Sequence, residues 1–277
     1  MNEIVVFING NDIYILKVSM EKQQSKKTVG ILTACDQRQE WMLRGWYHHL
    51  RLQHPDIPIA FGDFGMSEAA KDWCRSKGTL IPTSDIPVYT LPANYEYGWQ
   101  YGGKKWVGTL LYEHPDRFLV FRKPFLMQKS PFDRTIWLDM DCQVLKSLSC
   151  LFFKNLSPNL LAIGLAWPKQ TFAMHSLNDA QQMPVLCYNS GVVVFEKSSP
   201  LLKFWADFTM HAGHNFSCDD HILSFAIQNY GFPTVTLPFY YNRPVQAPKH
   251  SKTAVLHWMR EGPKHILRLL YLNLVGS

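Results

Sequence analysis

The chain has 277 residues, 47% hydrophobic and 18% charged, with 16 glycines and 17 prolines. That composition excludes collagen-like, low-complexity and wholly disordered chains, and the length suits one large α/β domain or two smaller ones. Lysine and arginine total 28 against 22 acids, a formal charge of +6, which weakly favours anionic partners such as nucleotide diphosphates or a phospholipid surface. The basic residues are dispersed and no recognition motif accompanies them, so nucleic acid is not an expected partner. No run approaches the roughly 18 consecutive apolar residues of a membrane span. The six cysteines (Cys35, Cys74, Cys142, Cys150, Cys187 and Cys218) include no C-x-x-C pair, so buried reduced thiols and a cytoplasmic setting are expected.

Residues 1–28 read as an appendage. Apolar runs at 4–8 and 13–18 flank Asn9-Gly10-Asn11-Asp12, a hairpin signal. From residue 28 strands and helices alternate. The apolar run 29–34 suits a buried parallel strand, and Asp36 with Gln39 resembles a capping box. Leu43, Trp46, Tyr47 and Leu50 then recur at helical spacing. Residues 57–61 give a second strand. Ser67 caps a helix carrying Ala70, Trp73 and Cys74 and closed by Gly78, and 79–82 supplies a third strand edge. This order predicts an open parallel sheet with right-handed crossovers. Residues 84–106 interleave Pro and Gly with Tyr89, Tyr95, Tyr97, Trp99, Tyr101 and Trp106 and read as a loop whose aromatics stack on a ligand or on one another.

The chemical signal is at 136–141, where the apolar Ile136-Trp137-Leu138 runs into Asp139-Met140-Asp141. On extended chain, carboxylates one residue apart project to the same side. Buried and unpaired they would cost several kcal/mol or take up protons, and a divalent cation with oxygen ligands resolves that conflict. Further on, Asp219-Asp220 precede Ile222, Leu223, Phe225, Ala226 and Tyr230, ended by Gly231, so one acid is expected as the N-cap while the other faces a cleft. His211, His214, Cys218, Asp219, Asp220 and His221 are zinc-compatible, though no paired spacing supports a closed site. The stretch 264–274 combines Lys264, His265 and Arg268 with Ile266, Leu267, Leu269, Leu270, Tyr271 and Leu272. It reads as a helix packed on the domain or, alternatively, lying on an anionic membrane.

The run from Lys123-Pro124 through Ser130-Pro131-Phe132-Asp133 to Asp139-Met140-Asp141 resembles the D-x-D region of GT-A-fold glycosyltransferases. Tyr188-Asn189-Ser190-Gly191 with its following strand, Asp219-Asp220-His221-Ile222-Leu223, and His257 with Gly262 and Lys264 resemble three further segments of that family in order and spacing. The likeness spans about 28–265 and is greatest to the retaining group that includes glycogenin and lipopolysaccharide galactosyltransferases; Asp220 stands where that group has Gln.

The resemblance implies an open, twisted, mostly parallel GT-A sheet flanked by helices over 29–265; the residue pattern beyond it makes 266–277 a C-terminal amphipathic tail. It implies transfer of a hexose from a nucleotide-diphosphate sugar, UDP-hexose by analogy, to a glycan, lipid or protein acceptor, with Mn²⁺ or Mg²⁺. Asp139, Asp141 and His257 would be the metal ligands. Thr33, Ala34, Cys35 and Asp36 would meet the nucleotide, with Lys123, Met140, Gly262 and Lys264 completing the donor site. Asn189, Asp219 and Asp220 would be catalytic, either acid serving as base if the enzyme inverts. A non-catalytic nucleotide-sugar or glycan-binding protein is the alternative. Peripheral membrane contact through the tail is a further expectation.

Overall fold

The computed structural model describes residues 27–87, 120–153, 161–165, 186–213, 216, 218–259 and 261–275, together with the backbone of 2–9, 12–19, 98–101, 104–107, 171–173 and 184–185. Strands β1 (Asn2–Asn9) and β2 (Asp12–Ser19) pair antiparallel, with Asn9 opposite Asp12. Next come β3 (Val29–Cys35), α1 (Leu43–Gln53), β4 (Ile59–Asp63), α2 (Glu68–Lys77) and β5 (Thr79–Ile81). The stretch read as a loop contains an antiparallel pair, β6 (Gly98–Tyr101) with β7 (Lys104–Val107). In the sequence Gly102-Gly103 stands between two aromatic-rich runs, a hairpin signal outweighed there by the surrounding prolines. The remaining aromatics of 84–106 lie outside the described residues.

The rest of the domain is α3 (Lys123–Gln128), β8 (Arg134–Leu138), β9 (Cys142–Val144), α4 (Ser149–Phe153), β10 (Leu161–Leu165), β11 (Thr171–Ala173), β12 (Pro184–Leu186), β13 (Tyr188–Glu196), α5 (Pro200–Ala212), α6 (Asp219–Asn229), β14 (Thr234–Leu237), β15 (Arg243–Pro244), β16 (Val255–His257) and α7 (Glu261–Val275). Seven strands form the central sheet in the order β14-β10-β13-β8-β3-β4-β5. Every pairing in it is parallel except the two made by β13. Strands β8 and β13 are buried at every position, as expected for continuous apolar runs covered on both faces.

Alternation along these strands divides the core. Ile31, Phe61, Ile136, Val192 and Val194 pack with Trp46 and Leu50 of α1 and Leu267 and Tyr271 of α7. Leu32, Ala60, Trp137, Val193 and Phe195 meet Leu126 of α3, Trp205 of α5 and Leu223 of α6. Helix α7 therefore packs on the domain through one face, while Ile266, Leu269, Leu270 and Leu272 are exposed. Among the described residues no helix is long and apolar enough to cross a membrane. The cysteines form no disulfide; Cys150 is exposed and Cys218 half-exposed, against the expectation of six buried thiols.

Of two local capping expectations, one is met and the other is not. Asp36 does accept from the backbone N–H of Gln39 at 3.0 Å and of Arg38 at 3.1 Å. The N-cap of α6, however, is Cys218, with Asp219 and Asp220 in the first turn. They still favour the positive end of the helix, but their oxygens are engaged elsewhere.

Candidate functional site

Strand β8 ends at Leu138, and the chain turns at once: the backbone N–H of Cys142 donates to the Asp139 carbonyl at 2.9 Å. The two acids therefore sit on a tight turn, not on extended strand. The turn is pinned on both sides, since Asp139 N–H donates to the Gly191 carbonyl and Trp258 N–H to the Asp141 carbonyl, each at 2.9 Å. Beyond it β9 pairs with β16, placing His257 opposite Cys142. His257 Nε2 lies 3.1 Å from Asp141 Oδ1 and 3.9 Å from Asp139 Oδ2.

Asn242 sets the orientation of that ring. Its amide nitrogen donates to Asn189 Oδ1 at 2.6 Å, so its own oxygen faces His257 Nδ1 at 2.9 Å as an acceptor. This network assigns the proton of neutral His257 to Nδ1 and leaves the Nε2 lone pair toward the two carboxylates. Gly191 makes room: a Cβ there would stand 2.3 Å from His257 Cε1. Two carboxylates beside an imidazole nitrogen are a donor set that suits Mn²⁺ or Mg²⁺, although among the described residues the three whose ligand atoms all lie within 4.8 Å of one another are Asp141, Cys142 and His257. Cys142 Sγ is close enough to join Asp141 and His257 geometrically, but its thiol points at the Gly191 carbonyl, and burial beside two carboxylates pushes it well above the usual thiol range.

Lys123, at the start of α3, binds the two halves of the site together. Its Nζ lies 3.0 Å from Asp139 Oδ1, 2.8 Å from Asp219 Oδ2 and 2.8 Å from Ser190 Oγ. Burial alone would lower its pKa, but Asp139, Asp219 and Asp220 raise it, so the ammonium stays charged. Trp137 Nε1 donates to Asp139 Oδ1 at 2.6 Å, and Lys264 Nζ lies 3.3 Å from Asp141 Oδ2. Although burial pushes Asp141 up, the His257 ring and the Lys264 ammonium hold its carboxyl down at about 2. Asp220 accepts from Ser190 N–H at 2.7 Å and from the Asn189 amide at 3.0 Å. Burial, with Asp219 adjacent, nevertheless raises its pKa.

These groups surround an open cleft of about 240 Å³ at the carboxyl ends of β3 and β8, the position where open α/β sheets bind ligands. Ala34, Asp36, Lys123, Met140 and Lys264 line it, with the acids Asp139, Asp141, Asp219 and Asp220. Five described carboxylates and three cations line the cleft, a formal surplus of two negative charges. Two expectations require correction. Thr33 and Cys35 are buried with side chains that do not line the cleft, Cys35 packing in the core under α1. Asn189 stands behind the wall as a brace between Asp220 and Asn242. Gly262 lies in the first turn of α7.

The zinc-compatible cluster does not assemble among the described residues. His211 Nδ1 shares a hydrogen bond with the Asp207 carbonyl at 2.7 Å, while Asp219 and Asp220 are tied to Lys123 and Ser190; His214 lies outside the described residues. Ser190 and Asn242 were not singled out from the sequence. Ser190 sits inside a recognised segment, whereas Asn242 is brought in by the pairing of β15 with β16, which no local spacing encodes.

No family model and no curated protein matches the chain. Solved structures do. The galactosyltransferase LgtC, determined in complex with donor and acceptor sugar analogs, is 15% identical, covering 90% of this chain and 95% of its own, with a TM-score of 0.57. The glycosyltransferase GlyE of Streptococcus pneumoniae TIGR4 is 15% identical over 88% of this chain, with a TM-score of 0.56; the chain spans 60% of its length. Mouse xyloside xylosyltransferase 1, in its apo form, is 14% identical over 83% of this chain and 97% of its own, with a TM-score of 0.51. The likeness is one of fold: this chain has the GT-A architecture of those glycosyltransferases.

Proposed function

We propose that the protein is a metal-dependent glycosyltransferase that moves a hexose from a nucleoside-diphosphate sugar, with UDP-hexose as donor, to an acceptor hydroxyl with retention. The observation that carries this reading is the acid-rich corner at the sheet's carboxyl edge, where Asp139 and Asp141 line a cleft with a surplus of two negative charges and the buried His257 Nε2 stands beside them, 3.1 Å from Asp141 Oδ1 and 3.9 Å from Asp139 Oδ2. A surplus of that size suits one divalent cation, and that cation suits a diphosphate.

In the reaction the bond from the anomeric carbon to the phosphate oxygen breaks and the diphosphate leaves with the electron pair. The acceptor oxygen then joins the carbon and passes its proton to the departing diphosphate oxygen. Asp139, Asp141 and His257 would hold Mn²⁺ or Mg²⁺, which when bound supplies positive charge for the developing diphosphate. Lys264 adds a point charge beside Asp141. Ala34 and Asp36 meet the nucleoside, with Asp36 fixed by the Arg38 guanidinium at 2.8 Å. Lys123 is a positioning residue: it fixes Asp139 and neutralises Asp219. Of the two acids on α6, Asp219 is committed to that ammonium, and Asp220 is the one suited to the donor sugar. Its raised pKa also suits proton transfer.

The test is incubation with a panel of UDP-sugars and Mn²⁺, measuring UDP release. Release with at least one donor, reduced about 100-fold or more in Asp141→Asn, supports the proposal. UDP binding without release from any donor leaves the fold serving as a nucleotide-sugar-binding protein. The proposal extends to location. Six cysteines that form no disulfide suit a reducing compartment, and the exposed Ile266, Leu269, Leu270 and Leu272 suit peripheral contact with a cytoplasmic lipid surface.

A further inference from the structure

We propose that the groove formed by Lys146, Arg243 and Lys249 is a second anion site, separate from the donor cleft, that binds a phosphate group. The groove is about 450 Å³ and is completed by His250, Ser251 and Thr253, with no carboxylate among its lining residues.

Arg243 is the reason to expect a ligand. It is 7% exposed, and no described carboxylate lies within ion-pair distance of it. Its Nη1 donates to the carbonyls of Ala247 at 2.7 Å and Pro248 at 3.3 Å, which anchors the side chain, while its buried Nε has no hydrogen-bond partner. A buried guanidinium without a counter-charge is costly, and a buried N–H donor without an acceptor adds to that cost. An oxyanion in the groove supplies the counter-charge, and the arginine guanidinium suits the oxygens of phosphate. Two further cations, Lys146 and Lys249, stand at the same mouth. Lys146 Nζ donates to the Ser251 carbonyl and fastens the loop, and His250 stacks on Tyr240 with ring centroids 5.7 Å apart and planes 11° apart. The site is therefore held in place before any ligand arrives.

Its position separates it from the donor cleft. Lys146 follows β9 and Arg243 opens β15, both in the three-stranded sheet that carries His257. Lys146 lies five residues beyond Asp141, on the order of 15 Å along extended chain. The phosphate could belong to a soluble phosphorylated sugar or to a phospholipid headgroup. Neither source depends on glycosyl transfer, so failure here and failure of the proposed activity are distinguishable.

The experiment is titration of ¹⁵N-labelled full-length protein with inorganic phosphate in EDTA, against chloride at matched ionic strength, following the amides of 249–253 and Lys146. Saturable shifts confined to those amides are expected. The double variant Lys146→Gln/Lys249→Gln should weaken them at least tenfold, while Mn²⁺-dependent UDP binding stays unchanged. Arg243→Lys, which keeps charge but loses the fork, should weaken them as well. Tighter binding of glucose 1-phosphate than of glycerol 3-phosphate assigns a soluble sugar phosphate, and the reverse order assigns a lipid headgroup. Shifts that match the chloride control, or phosphate binding unaltered in the double variant, would overturn the site.

Discussion

His257 is gripped at one nitrogen by Asn242 and faces Asp141 and Asp139 with the other. Gly191 is the residue beneath it, and its missing side chain is a requirement of the site. Gly191→Ala must displace the ring, because a Cβ would overlap Cε1 at 2.3 Å. Mn²⁺ affinity should fall at least tenfold, with the near-UV spectrum retained; unaltered affinity by calorimetry would show that His257 is no ligand. The same ring predicts a pH dependence. Although burial opposes it, the charges of Asp141 and Asp139 raise its pKa above the usual 6.5. In metal-free protein, protonated His257 therefore contributes stability that is fully present below pH 6.5 and lost as pH rises through the raised value. In EDTA the Tm advantage of wild type over His257→Gln should shrink as pH increases above 6.5, and Mn²⁺ should restore it by taking the proton's place. A constant Tm difference from pH 6 to pH 9 in EDTA would contradict that assignment.

Elements show how far local pattern reaches. Strands β3, β4 and β8 are legible because each is an apolar run buried on both faces, and Ser67 caps α2 through the Ala70 N–H at 3.2 Å as its spacing implies. Asp219 and Asp220 were harder to read. A cap and a salt bridge ask for the same residue type at the same place, and the buried Lys123 ammonium, supplied from α3 far along the chain, engages Asp219 where a cap would use it. Strand alternation likewise allows only part of 33–36 to reach the cleft, so Ala34 and Asp36 line it and the Thr33 and Cys35 side chains do not. The docking of α7 was left open by a sequence with apolar residues on more than one face. The structure places Tyr271 directly over Gly45 of α1, where a Cβ would lie 2.1 Å from Tyr271 Cγ. Gly45→Ala should cost about 1–3 kcal/mol by overpacking, and it should loosen α7 and with it Lys264. A denaturation midpoint equal to that of wild type would show that α7 is not seated by this contact.

On the scale of the whole molecule, one edge of the sheet concentrates the chemistry and one helix presents an apolar face. Ile266, Leu269, Leu270 and Leu272 are between 43% and 64% exposed. Changing Leu269 and Leu272 to Ser should reduce co-sedimentation with phosphatidylglycerol vesicles several-fold without altering UDP release. Equal sedimentation would leave the membrane expectation without support. The architecture was legible because four separated segments each kept a recognisable local pattern. The braces that orient them, Ser190 and Asn242, were not, because their partners are brought close only by the finished sheet.

The central claim is that Asp139, Asp141 and His257 form a cation site that a nucleoside diphosphate shares. Calorimetric titration with UDP, in Mn²⁺ and in EDTA, for wild type and Asp141→Asn addresses it directly. UDP binding at least tenfold tighter in Mn²⁺ for wild type, with no such gain for the variant, is the predicted result. Equal UDP affinity in Mn²⁺ and EDTA, or a Mn²⁺ gain that survives in Asp141→Asn, would contradict it.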